Sequence, residues 1–99
     1  MSAPTAPSFR HFVTYSGVKL PLKLVNELQP ADTAHRNTFF RGVFDAQDRP
    51  LRIEKVVYGD IELLHVYHYD DRGTLRQAQI TDADGEVTDL AFDENGQPV

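Results

Sequence analysis

Residues 67–97 read YHYDDRGTLRQAQITDADGEVTDLAFDENGQ, and three corners within them share one chemistry. Asp70-Asp71-Arg72-Gly73, Asp82-Ala83-Asp84-Gly85 and Asp93-Glu94-Asn95-Gly96 all follow the pattern Asp-x-x-Gly. An aspartate in first place accepts hydrogen bonds from the backbone N–H groups that follow it. The two middle residues make a type I turn, and glycine takes the left-handed position that closes a hairpin with a bulge. The corners begin at residues 70, 82 and 93, so they repeat after 12 and 11 residues, one turn plus one strand. Asp45-Ala46-Gln47-Asp48 is a degenerate version of the same corner. The pattern is an internal repeat of hairpin units.

Between these corners the chain is rich in Val, Ile, Tyr and Phe, which favour strands. The stretches 38–44, 51–58, 61–69, 74–80 and 86–92 each read as a strand, and Gly59-Asp60 supplies a tight hairpin between the second and third. Upstream, 9–15 alternates Phe9, His11, Val13 and Tyr15 against Arg10, Phe12 and Thr14, and Ser16-Gly17 offers a two-residue turn. The return strand is predicted over 18–25, with Val18, Leu20, Leu22 and Leu24 on one face and Lys19, Pro21 and Lys23 on the other. Pro21 cannot donate a ladder hydrogen bond, which places this strand at an edge or a bulge, and the lysines guard it against further pairing. Only 27–36 has helical character, with Pro30 suited to a first turn and His35 and Arg36 to the last. The connections are too short for crossovers between neighbours, so neighbouring strands run antiparallel. The reading is a mainly β domain over 9–99: an antiparallel meander of about seven strands, a curved sheet or partial barrel, with one short helix or loop. Residues 1–8, with Pro4 and Pro7, read as a disordered leader.

The 99 residues suffice for one domain, and 40% hydrophobic against 25% charged is a globular balance. A net charge of −5 with scattered Lys and Arg argues against nucleic acid, which needs a basic stripe. With no cysteine, disulfides, thiolate metal sites and cysteine nucleophiles are excluded, and a reducing compartment is favoured. No apolar run approaches the ~20 residues of a membrane-spanning helix. The expected setting is cytoplasmic.

Residues 67–75 and 91–97 resemble the aromatic-Asp-x-x-Gly-x-Leu units of YD (Rhs-type) and MORN-variant repeat proteins, a likeness of turn chemistry. Residues 12–22 (FVTYSGVKLPL) and 36–40 (RNTFF) resemble a family of small bacterial proteins of unknown function. That resemblance implies a bacterial origin and a free-standing domain, and it carries no activity over.

Alternation groups Phe40, Phe44, Val56, Tyr58, Leu64, Val66, Ala78, Ile80, Leu90 and Phe92 on one face. Phe39, Val43, Leu51, Ile53, Val57, Ile61, Leu63, Tyr67 and Tyr69 then share the other. Both faces are apolar in mid-sheet, so each requires a cover: the N-terminal hairpin and short helix, closure into a partial barrel, or a second subunit. His65, Tyr67 and Tyr69 alternate onto one side of a strand. They read as an aromatic ladder with a hydrogen-bonded histidine, or as part of a ligand pocket that Arg41 completes. If Arg41 is buried it requires a carboxylate partner. The acidic run Asp82, Asp84, Glu86, Asp89 and Asp93 lacks calcium-loop spacing and reads as turn chemistry. No metal site, cofactor site or catalytic constellation is discernible. The expectation is therefore a non-catalytic interaction module, self-associating as a homodimer or acting as an acidic immunity- or antitoxin-like protein on a basic partner. The alternative is a small-ligand binder or minor enzyme, with a pocket between sheet and N-terminal hairpin lined by His65, Tyr67, Tyr69 and Arg41.

Overall fold

The computed structural model describes residues 9–17 and 19–99; the leader expected over 1–8, and Val18, lie outside the described residues. Seven strands form one antiparallel sheet: β1 (Arg10–Ser16), β2 (Lys23–Leu28), β3 (Thr38–Phe44), β4 (Pro50–Val57), β5 (Asp60–Tyr69), β6 (Leu75–Thr81) and β7 (Val87–Ala91). Their order across the sheet is β2-β1-β3-β4-β5-β6-β7, so the sheet is open and from β3 onward each strand pairs with the next. β2 and β3 both pair antiparallel with β1 or lie beside it. The link between them must therefore cross β1, and it carries the 3-10 helix Pro30–His35. Pro30 opens that helix, and the Asp32 carboxylate accepts from the Gln29 N–H at 3.1 Å.

The corners are built as their residues dictate. Asp45, Asp70, Asp82 and Asp93 each accept two backbone N–H groups on Oδ1, from the residues two and four further on, at 2.9–3.0 Å. Gly73, Gly85 and Gly96 hold φ of +84°, +83° and +82°, and Asp48 takes the equivalent place in the degenerate corner at +64°. At the remaining hairpin Val57 faces Asp60, so the two turn residues are Tyr58 and Gly59, one position earlier than the sequence reading. Both have positive φ, +49° and +85°, as a type I′ turn requires.

Two expectations are corrected. The two-residue turn at Ser16-Gly17 and the strand over 18–25 do not form: Ser16 pairs with Lys23, and β2 begins only there. Residues 19–22 leave the ladder, where Pro21 has no N–H to give, and lay Leu20 and Leu22 onto the sheet. The leucine alternation is thus a signal of burial and not of a strand.

The phase between strands also differs from the expectation. Register places Gly42 opposite Ile53, Ile53 opposite His65, Tyr67 opposite Ala78 and Ala78 opposite Leu90. The inner face therefore holds Phe40, Ile53, His65, Tyr67 and Ala78, while Val56, Leu64 and Val66 join Phe39 and Val43 on the outer one. Alternation inside one strand says nothing of its neighbour's phase, and bulges at 43/44, 55/56 and 68/69 reset it.

Phe12, Leu22, Phe40, Ile53, Tyr67, Leu75 and Ala78 are buried together on the inner face, with Leu20, Leu24, Phe44, Tyr69, Leu90 and Phe92 packed around them. Gly42 permits this closeness, because a Cβ there would stand 3.0 Å from the Phe44 ring and 3.2 Å from Leu24. At the β7 edge the chain folds back, with Phe92 bridging Pro98 and the Val99 N–H donating to Ala91 O at 3.0 Å.

The turn geometry sets two opposite expectations. Gly85 has open space around it, so Gly85→Ala meets no clash and loses only its left-handed freedom, about 1–2 kcal/mol. Tyr58→Asn relieves strain at a left-handed non-glycine residue that is 75% exposed, and should gain on the order of 0.5–1 kcal/mol. Urea denaturation of both variants checks the pair of signs.

Candidate functional site

On the inner face the chemistry centres on Tyr67, which is 2% exposed. The Leu22 N–H donates to its hydroxyl oxygen at 3.1 Å. The same oxygen lies 2.7 Å from Nδ1 of His65. A phenol has one hydrogen to give; with Leu22 donating to it, the Tyr67 O–H donates to His65. That fixes a neutral imidazole with its proton on Nε2. Burial drives both groups the same way, lowering His65 and pushing Tyr67 up to about 12, with the Leu22 N–H opposing the latter. Tyr69 donates to the Pro50 carbonyl at 2.7 Å, under the Arg49 guanidinium 4.8 Å from its ring. Burial raises the Tyr69 hydroxyl as well. His65, Tyr67 and Tyr69 are thus brought together, and the hydroxyls and His65 Nδ1 are engaged in fastening the β1–β2 loop and the β3–β4 corner to the sheet.

Arg41 stands on the opposite side. Its Nε donates to Glu54, and Arg52 Nε donates to the second carboxylate oxygen at 2.7 Å. Glu54 is 2% exposed, with Arg41 and Arg52 at 29% and 44% as the outer members of the triad. Burial works to raise the Glu54 carboxyl, but the hydrogen bonds and charges of the two arginines outweigh it and hold it below the ordinary range. This is the carboxylate partner that a strand-borne Arg41 requires. Phe9 lies 4.5 Å from the Arg41 guanidinium. Beside it His11, 5.7 Å from the Phe39 ring, keeps a buried Nδ1 with no partner among the described residues. Burial, then the Arg41 charge, lowers its pKa.

Around the triad the outer face is apolar and half-exposed at Val13, Phe39, Val43, Leu64 and Val66, with Ile61 and Val87 exposed at 46% and 53%. On the inner side a cavity of about 350 Å³ opens between Lys19 and Leu20 of the loop and Leu90, Phe92, Pro98 and Val99. It lies between sheet and N-terminal hairpin, but its walls do not include His65, Tyr67, Tyr69 or Arg41. Among the described residues no three His, Cys, Asp or Glu side chains group as metal ligands. Nor is any described helix long and apolar enough to cross a membrane.

A family of unknown function, DUF6156, matches residues 4–99. The chain belongs to that family. No curated protein and no solved structure matches it. Membership in DUF6156 agrees with the resemblance carried by residues 12–22 and 36–40 to a family without assigned activity. What sequence reasoning missed in this DUF6156 chain is the backbone donor at Leu22, which carries no side-chain signal. It also missed the place of Asp89, which only register brings into line with Arg52.

Two outcomes test these arrangements on the two faces. Tyr67→Phe leaves the Leu22 N–H and His65 Nδ1 without partners and should cost roughly 1–3 kcal/mol by denaturant unfolding. Acid should destabilise the protein in two stages. Below the ordinary histidine value of 6.5 the unfolded chain takes up protons that His65 and His11 resist when folded, so stability falls with pH. Below 4.5 the same sign applies to Glu54, whose folded carboxyl stays ionised longer than the unfolded one. A denaturation midpoint unchanged between neutral pH and the ordinary carboxylate range would contradict the first stage.

Proposed function

We propose that this protein is a non-catalytic interaction module whose binding surface is the outer face of its sheet. One observation carries the reading: the inner face is roofed by the chain's own 19–22 segment, while on the outer face Val13, Phe39, Val43, Leu64 and Val66 stay half-exposed around the buried Glu54 and Val56. Contiguous exposed apolar surface of this kind marks a contact with another protein. The Arg41–Glu54–Arg52 triad, buried at its carboxylate, suits recognition and not chemistry, since that carboxylate is held ionised by two hydrogen-bonded arginines. The absence of cysteine fits work in a reducing compartment such as the cytoplasm. The buried residues of the inner face serve its packing, so no catalytic role is assigned to them.

The cavity of about 350 Å³ favours a second reading, a small-ligand binder, because its walls at Leu20, Leu90, Phe92 and Pro98 are apolar and Lys19 stands at the rim. A photo-crosslinking amino acid separates the two. Placed at Val66 and expressed in the native host, it should give one discrete protein adduct, and placed at Arg72 it should give none. Failure to form any adduct from Val66 or Phe39, with a hydrophobic dye saturating the Leu20–Phe92 cavity instead, would replace the first reading by the second.

A further inference from the structure

We infer that the occupant of the outer face is a second copy of this chain, seated about a two-fold axis parallel to the strands between β5 and β6. The inference rests on the interaction reading above and names its partner.

Register defines one row straight across the outer face: Val43, Arg52, Val66, Gln79 and Asp89. Arg52 lies on β4 and Asp89 on β7, so the cation and the anion stand equally far from the seam between β5 and β6. Rotation about an axis along that seam lays β4 of one copy over β7 of the other. It sets Arg52 against the second copy's Asp89, twice by symmetry, and Val66 against the second copy's Gln79. An interface of this kind must be self-complementary, and the part of this row from β4 to β7 is. The neighbouring row obeys the same operation. It contains Arg41, Glu54, Leu64, Thr81 and Val87, and it turns the exposed Val87 of one copy over Glu54 of the other.

Electrostatics favours a like partner over an acidic or basic one. The chain carries −5, yet these two rows hold two arginines and two carboxylates and are neutral as a patch. The repulsive charge is therefore carried elsewhere, much of it at the Asp-x-x-Gly corners. Arg52 is prepared for a second anion. Glu54 engages its Nε, leaving its terminal nitrogens without a hydrogen-bond partner among the described residues at a side chain 44% exposed. A guanidinium fixed at one end in this way loses little freedom on meeting a carboxylate. Aligned packing of two sheets face to face, about 10 Å apart, accommodates such pairs among apolar neighbours.

Sedimentation velocity on the full chain tests this. The native protein should sediment as a dimer of 11.2 kDa chains at micromolar concentration and dissociate on dilution. Asp89→Lys puts like charges together at both sites and should weaken the dimer by on the order of tenfold to hundredfold. Glu86→Lys, the same charge change outside both rows, should leave it intact. A zero-length carbodiimide provides a direct readout. With the amine introduced by Arg52→Lys, it should form an amide with Asp89, with loss of water, between isotopically distinct copies. Within one chain the two positions lie three strands apart, roughly 14 Å, beyond its reach. A monomer at every concentration overturns the inference, as does a dimer indifferent to Asp89→Lys or weakened equally by Glu86→Lys. If the Val66 adduct is a different protein while the chain stays monomeric, this inference fails and the interaction reading stands. If no adduct forms from the outer face, the reading itself fails.

Discussion

The Tyr67 hydroxyl fastens the β1–β2 loop to the middle of the sheet, and what the two faces can do depends on that attachment. A single layer of seven strands carries apolar side chains on both sides, and each side needs cover. Leu20 and Leu22 cover one side, with Leu24 of β2 beside them. Their backbone would bring unsatisfied polar groups into the core, which a buried N–H tolerates badly. Tyr67 resolves this by accepting from Leu22 and donating to His65, so that one hydroxyl satisfies a backbone donor and a ring nitrogen at once. Arg10 closes the rim of the same arrangement, paired with Glu27 and Asp48 at 2.7 Å and lying 4.8 Å from the Phe44 ring.

With the inner face covered, the outer face stays half-exposed at Phe39, Val43, Leu64 and Val66. Its polar centre is organised in the opposite sense. There a buried carboxylate is held between two cations, Arg41 and Arg52. Truncating one member of such a triad costs more than the triad contributes, because it leaves charge buried without compensation. Its value lies in orientation: Arg41 and Arg52 are held at defined positions among the apolar side chains of that face.

The parts of this fold legible in the sequence are those set by local chemistry. Asp-x-x-Gly specifies its corner within four residues, so Asp70, Asp82 and Asp93, and even Asp45 without its glycine, form the turns that their spacing predicts. Strands β3 to β7 follow because the corners bound them. The 18–25 stretch misled because period-two leucines satisfy a strand and a roof equally well. Only the missing N–H of Pro21 and the distant Tyr67 hydroxyl decide between them. The pairing of faces was illegible for a related reason. It depends on bulges at 43/44, 55/56 and 68/69, which no single strand announces. Hence His65, Tyr67 and Tyr69 could be grouped from one strand's alternation, whereas Arg41 was assigned to their pocket although it points to the other side. Asp89 looked like turn charge until register aligned it with Arg52.

Amide hydrogen exchange at Leu22 examines the attachment directly. If the loop is fastened as described, the Leu22 N–H should exchange as slowly as the amides of β4 around Ile53, since both would open only with the whole domain. Exchange at Leu22 as fast as at the solvent-exposed corner near Asp84 would show that the roof lifts on its own. The inner face would then be available for binding, contrary to this account.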